Sequence, residues 1–506
     1  MFKKILTLLS ITSLLLTLGI YSCTGAAPAT GGDNTDIEGA GPGGTGGGGG
    51  GNGLDGATAC NGSALPSFPD AEGFGACSTG ARSSSAKVVY VTNTNASGPG
   101  SLQDAVDQNG SKYIVFSTSG VIPSTITIRH PNITIAGQTS PGGIIIQGGL
   151  ICDNVYDPYN CQNIIVRHLR MRPGNSGEGD ALRVGGSTHF MADHLSLENA
   201  SDEATEISRS SNVTIQNSIL AETLTDHNEN GGLLINYSTL QHNLQSISIH
   251  HNAYIRLGGR TPAEISCENN SDGGLTSNCD GHYLNLEISH NLVWDAQNPL
   301  YYNRCTGNNQ GNDCGLQESQ YVNLNWIGNV AVFKLTSDPL MMIAELADNP
   351  LNLIYSSDNQ MRIGTSSLSV YSPAFANSSA SRLNFPGITN TPSANLLDYV
   401  RSNVGAYPLD NMDQRMMAYV SGNVQSTPTI PRGSSGTNPA NDAYSNLSGN
   451  PVADSDQDGM PDAWESSHGL NPNVQDHNGT HLSSAGYSNL EVYLNELADR
   501  RVSTGQ

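Results

Sequence analysis

Residues 163–169 read NIIVRHL. An opening Asn, a β-branched run and alternating apolar and polar side chains fit a short strand with one side turned inward. Close variants return as NITIAGQ at 132–138, HFMADHLSL at 189–197, NVTIQNSIL at 212–220, SISIHHNAYI at 246–255, NLEISHNLVW at 285–294 and NLNWIGNVAVF at 323–333. Their starts lie between about two dozen and about forty residues apart, a repeat range that predicts a solenoid. No long amphipathic helix is visible between them. A parallel β-helix accounts for strands that resemble one another and for Asn recurring at bends. A β-propeller fits less well, because the repeats lack a regular four-strand grouping.

The chain has 506 residues and a net charge of −23, from 22 Lys and Arg against 45 Asp and Glu. That balance argues against a nucleic-acid partner, which needs clustered cations. It leaves room for an anionic substrate bridged by a metal ion. The N-terminus, MFKKILTLLSITSLLLTLGIYSC, has two lysines before an apolar run and then Cys23. It reads as an export signal over 1–22 with a lipidated Cys23, and so as a bacterial outer-membrane or cell-surface lipoprotein. Residues 23–58 are Gly-rich and cannot bury a core, so they read as a flexible tether. The main body is expected over 59–430, a Ser/Gly/Asn/Pro-rich linker over 431–450 and a separate piece over 451–506.

Eight further cysteines fall into four neighbouring couples. In an exported chain they predict the disulfides Cys60–Cys77, Cys152–Cys161, Cys267–Cys279 and Cys305–Cys314. The stretch from 177 to 208 carries Glu178 and Asp180, then Asp202 and Glu206. Residues two apart on a strand share a side, so the first two can pair, and the second two can join them from the next coil. Four gathered carboxylates repel unless a cation sits among them, and hard oxygen ligands suit Ca²⁺. Four separate solvated acids are the plain alternative.

Several stretches together resemble secreted pectate lyases of polysaccharide lyase family one. They include AEGFGACSTGARSSSAKVVYVTNTNASGPGSLQDAV, IVFSTSGVI, ITIRHPNITIAGQTSPGGIIIQG, NIIVRHLRMRPG, ADHLSL, DEATEI and HHNAYIRLGGRTP. The resemblance spans roughly residues 70 to 300, with the motifs in the family's order. It implies a right-handed parallel β-helix with the cleft on one sheet face. It places calcium on Glu178, Asp180, Asp202 and Glu206, and the proton-abstracting arginine on Arg260. The expected reaction is calcium-dependent β-elimination of polygalacturonate to unsaturated oligogalacturonides, by a monomer. Where the family carries a second basic residue after R-x-P, this chain has Ala263 and Glu264, and no lysine follows the NVTIQNS strand. Arg256 and His227 are the candidates to bind substrate in their place. His250 and His251 read as structural or cleft-lining. A hydrolase on the same scaffold is the alternative enzyme, but its usual DD strand is absent. A non-catalytic glycan-binding β-helix is the alternative outside catalysis.

The C-terminal stretch DSDQDGMPDAWE puts Asp454, Asp456, Asp458, Asp462 and Glu465 at positions 1, 3, 5, 9 and 12 of a calcium-loop template, with Gly459 at the turn. The following GYSNLEVYLNELADRR predicts a short helix with Leu490, Val492, Tyr493, Leu494 and Leu497 mostly on one side.

Overall fold

The computed structural model describes Cys60 and residues 65–153, 161–174, 179–224, 231–236, 238, 244–266, 283–296, 321–334, 350–364, 376–428 and 440–505. It also places the short strands at 271–272, 275–276, 301–303 and 366–368. Three sheets run along the chain. Each full coil visits them in turn: Gln162–Arg167 lies in the first sheet, Arg170–Met171 in the second and Leu182–Gly185 in the third, before Thr188–Asp193 returns to the first. The first sheet has ten strands, the second ten and the third seven. Neighbours pair in parallel, except the last pair of the second sheet. This is the parallel β-helix that the repeats predict.

The register explains why the repeats look alike. Ile133, Ile164, Phe190, Val213, Ile247, Leu286 and Leu324 occupy one row of the first sheet. All are buried in a single core cluster. Only one apolar side chain per coil fits each interior row, so the sequence must repeat with the coil.

Two bends close each coil. Strands of the first sheet open beside a left-handed residue, as at Asn132, Asn163 and Asn212, with φ of 62°, 56° and 56°. They end in another: His168, His194, Asn217, His251, His290 and Asp358 have φ between 51° and 56°. Asn, Asp and His tolerate this region better than most residues. The next position faces inward. There Asn252, Asn291, Asn329 and Asn359 stack as a ladder. The Asn291 Nδ2 donates to Ile249 O at 2.9 Å and to Asn329 Oδ1 at 3.1 Å. Its Oδ1 accepts from Asn252 N and Nδ2, both at 3.1 Å. Asn291→Ala should therefore strand several buried polar groups and cost about 3 kcal/mol. Urea unfolding measures it; a loss below about 0.5 kcal/mol would show that the ladder does not stabilise the coil stack.

The outer faces of the sheets differ. On the first, Ile165 and Met191 lie under Phe68, Ala71 and Ala76. Tyr113 and Ala136 of the same sheet lie under Leu490, Tyr493, Leu494 and Leu497 of the helix Asn489–Thr504. Val492 is only partly buried. Ser488 caps that helix with Glu491, and Gly505 ends it in the left-handed region. On the second sheet, Ile219, Ile255, Leu292 and Val330 pack against Leu396, Val400, Met412 and Met416. Those last four come from the helices Leu396–Asn403 and Asn411–Ser421.

The stretch read as a 431–450 linker is, where described, tied down: Ala443 is buried and the Tyr444 hydroxyl donates to Arg172 O at 2.9 Å. The piece read as separate, 451–506, belongs to the same compact unit as the β-helix, Gly51–Gln506. Its apolar helix face and the outer face of the first sheet bury one another. Cys60–Cys77 and Cys152–Cys161 form disulfides, with Cα atoms 5.5 Å and 5.7 Å apart. Cys23, Cys267, Cys279, Cys305 and Cys314 lie outside the described residues.

Candidate active site

The third sheet carries charge where the other two carry apolar cover. Arg183, Glu206 and Glu264 stand in one row across its strands, with Leu234 between the two glutamates. Arg183 donates to Glu206 at 2.8 Å and lies 3.5 Å from Asp153 and 3.7 Å from Asp180. Burial raises the Glu206 carboxyl above its ordinary range, against the pull of Arg183.

Beside this row, oxygen atoms of Asp180, Asp202 and Glu203 all lie within 4.8 Å of one another. The local chain explains the convergence. Ser201 N and Asp202 N both donate to Gly179 O at 3.0 Å. A Cβ on Gly179 would stand 2.6 Å from the Asp202 Cβ, so only glycine allows this approach. Glu203 N donates to Asp180 Oδ1 at 3.2 Å and locks the two segments together.

Arg260 reaches the same place from the next turn. Its backbone is left-handed, with φ of 53°. Its guanidinium contacts Glu203 and donates through Nε to Glu264 Oε2 at 2.5 Å. Its side chain is 14% exposed, so it is held against the sheet rather than swinging in solvent. Gly231 is needed opposite, because a Cβ there would lie 2.5 Å from the Arg260 Cβ.

The structure thus brings Asp180, Asp202 and Arg260 together. It keeps Glu206 out of that cluster and on Arg183. Glu203, which was not among the residues named for calcium, lies with Asp180 and Asp202 instead. The strand here is Thr205–Ser208, and residues 201–202 bend before it. The adjacent pair Asp202–Glu203 was the available signal. Glu264, read as a missing cation, is a partner of Arg260. Arg256 goes elsewhere. It contacts Glu222, donates to Pro428 O at 2.9 Å and lies 5.2 Å from the Tyr419 ring centre. It anchors a helix on the second sheet instead of facing Arg260. His250 and His251 are buried at a first-sheet bend, with their Nδ1 atoms 3.0 Å apart. Burial pushes His250 down to about 3 and His251 well below its ordinary range, so both are neutral supports. Glu178 and His227 lie outside the described residues.

The C-terminal loop holds a second acidic group. Oxygens of Asp454, Asp456 and Asp458 lie within 4.8 Å of one another, as do those of Asp458, Glu465 and Asp476. Both carboxylate oxygens of Asp456 and both of Glu465 are buried without a hydrogen-bond partner among the described residues. Burial, then the neighbouring acids, push Asp458 up to about 6 and Glu465 up to about 7. Gly459 supplies the turn with φ of 94°. Asp462 is not in either group: it accepts from Ser455 N at 2.7 Å and Ser455 Oγ at 2.8 Å. Asp476, beyond the template, stands in the second group.

A protein described as "Probable pectate lyase C" from Neosartorya fischeri is 31% identical over 457 residues, spanning 86% of this chain and 94% of that protein. The chain belongs to the pectate lyase family. It is therefore a polysaccharide lyase. A pectate lyase C of the same description from Aspergillus oryzae is 31% identical over 452 residues. A "Probable pectate lyase 10" from Arabidopsis thaliana is 34% identical over 149 residues, 26% of this chain. No family model matches the chain. Among solved structures, a pectate lyase from Acidovorax avenae is 12% identical with a TM-score of 0.41, covering 69% of this chain and 97% of its own.

The relatives that this lyase matches along most of their length are fungal. They overturn the expected placement as a bacterial outer-membrane or cell-surface lipoprotein. A basic start, an apolar run and a cysteine carry hydrophobicity but little else, and such a pattern does not specify a bacterial envelope.

Proposed function

We propose that this lyase cleaves polygalacturonate by calcium-dependent β-elimination and releases unsaturated oligogalacturonides. The observation that carries the reading is the contact of Arg260 with Glu203, itself one of three converging carboxylates. The donor set fits a hard cation: three carboxylates with their oxygens within 4.8 Å, and one of them shared with an arginine. Asp180, Asp202 and Glu203 would hold calcium. When bound, it would supply Lewis-acid withdrawal of charge from the substrate carboxylate.

The C5 proton of a galacturonate lies α to that carboxylate. In the proposed step Arg260 has first released a proton to solvent, and a nitrogen of its neutral guanidine receives the C5 proton and becomes guanidinium again. The C5–H electron pair becomes the C4–C5 double bond, the C4–O4 bond breaks and O4 leaves with a proton from solvent. Arginine is ordinarily charged, with a pKa above 12. Glu203 and Glu264 position the guanidinium, and Glu203 divides its charge between Arg260 and the acidic cluster. Arg183 keeps Glu206 out of the cluster and so limits the number of unpaired acids there.

The test is ultraviolet absorbance of the 59–506 fragment with polygalacturonate, with calcium and with chelator. The unsaturated-uronate band should grow only with calcium. Reducing ends without that band would mean hydrolysis and would sink the proposal.

The C-terminal acidic loop is proposed as a second, structural calcium site, supported by its unpartnered Asp456 and Glu465 oxygens. Tyr90 of the first sheet contacts Asp454 and accepts from Gly459 N at 3.0 Å, so the loop is tied to the β-helix. Calcium at a hundredfold excess over its Kd should stabilise the fold by about 2.7 kcal/mol. Calorimetric melting should show this rise in the parent and in Asp202→Ala, and its loss in Asp458→Ala. An equal rise in Asp458→Ala would remove the loop from the proposal.

A further inference from the structure

A cavity of about 860 Å³ lies on the outer face of the first sheet, whereas the acidic row belongs to the third. Tyr90 and Phe116 line it from the sheet, and Trp464, Tyr493, Arg500 and Arg501 from the C-terminal segment. The Trp464 and Tyr493 rings meet edge to face, 5.1 Å between centres. Arg501 donates to Gln138 O at 3.2 Å and to Ser140 O at 2.8 Å. Those carbonyls fix its guanidinium without neutralising it. Arg500 is exposed next to it. Neither guanidinium has a carboxylate partner among the described residues. In a chain of net charge −23, two adjacent unneutralised arginines at the mouth of an aromatic cavity are an exception.

Asp454 also lines the cavity. Its oxygens are already taken by Gln457 N at 2.8 Å, Asp458 N at 3.3 Å, Gly459 N at 2.9 Å and the Tyr90 hydroxyl. Its charge is directed into its own loop and away from an incoming anion.

We propose that this cavity is a second, non-catalytic binding site for a uronate chain, which rests on polygalacturonate being the substrate. Such a chain presents one carboxylate per sugar and an apolar C–H face between them. Arginine forks match a carboxylate with two parallel N–H···O bonds. Aromatic rings offer flat apolar area to the sugar face. The volume falls within the range of small-ligand sites. Binding here would hold a polymer to the enzyme while a different stretch of it lies on the third sheet, and would raise the local substrate concentration without new catalytic contacts.

The probe is octagalacturonate, titrated calorimetrically with calcium into the full chain; the parent for this titration, and each variant, carries Asp202→Ala. Calcium then stays on the C-terminal loop that lines the cavity, while the acidic cluster of the third sheet lacks one of its carboxylates, so binding reports the arginine cavity. The parent should bind, Arg500→Glu should weaken binding by about tenfold or more, and Arg500→Lys, which keeps the charge but not the fork, should fall between the two. Arg500 is exposed, so neither change disturbs the core. Equal affinity in the parent and Arg500→Glu, or no binding by the parent, would overturn the second site. A companion assay follows elimination from trigalacturonate with calcium, a substrate too short to reach both faces. It should be unchanged in Arg500→Glu, whereas KM for the polymer should rise. If no galacturonate yields an unsaturated product but Arg500-dependent binding persists, the reaction assigned to the third sheet fails and the second site stands.

Discussion

Arg260→Ala should lower the rate of unsaturated-product formation by roughly three orders of magnitude, the loss expected for a group that takes a proton in the transition state. The contact with Glu203 and the 2.5 Å bond to Glu264 mean that the variant also leaves two acids without their cation. A stability effect must therefore be separated from a chemical one. Arg260→Lys does this, because it restores a cation to Glu203 and Glu264 but not the planar guanidinium. The expected pattern is a melting point close to the parent's with activity still down by at least about a hundredfold. Measuring kcat and KM apart completes the test. A loss confined to KM would make Arg260 a substrate-binding residue. Parent-like kcat in Arg260→Ala would remove it from the chemistry altogether.

Arg172→Met should give the largest loss of stability, about 3–5 kcal/mol, by breaking a buried charge network from one side. Arg172 is fully buried. It donates to Glu198 Oε2 at 2.7 Å, to Asp410 Oδ2 at 2.6 Å and Oδ1 at 3.0 Å, and to Asp413 Oδ1 at 3.3 Å. Arg170, two residues earlier, donates to Asp413 Oδ2 at 2.7 Å. Burial alone would push all three carboxyls up. For Asp410 the hydrogen bond and charge of Arg172 win and hold it at about 2, whereas for Glu198 burial wins and raises it to about 8. Methionine fills similar volume but leaves Glu198 and Asp410 without their main cation. Denaturant unfolding measures the loss. The second arm is Arg172→Met with Asp410→Asn, which removes one stranded charge and should recover part of it. A single variant within about 1 kcal/mol of the parent would show that the helices on the second sheet do not depend on this network.

The two residues illustrate how far local pattern reaches. The β-helix itself was legible because each coil must place one apolar side chain in each interior row and one tolerant residue at each bend. Those demands recur with the coil, so they print a repeat into the chain. The ladder Asn252, Asn291, Asn329 and Asn359 is the plainest case. The C-terminal helix was legible for the same kind of reason, through apolar residues spaced along one face; its Ser488–Glu491 cap emerged only in the structure.

The site was legible only in part. Arg260, Asp180 and Asp202 could be named from their motif, and the structure brings them together. Glu203 could not be chosen over Glu206, because that choice depends on where a strand starts. A shift of one bend sends Glu206 to Arg183 and Glu203 to Arg260. Arg256 carried the same local signal as Arg260, yet Glu222 and Tyr419 claim it on another sheet.

By itself, then, the sequence determined the coil: its repeat, its bends, its inward rows and the types of residue its chemistry requires. Tertiary structure alone decided the partners. Arg172 meets Asp410 across a separation of 238 residues, and Tyr90 meets Asp454 across 364. The physical reason is that strand pairing and apolar alternation are short-range rules with a fixed period. A charge, in contrast, pairs with whichever opposite charge the finished packing leaves beside it.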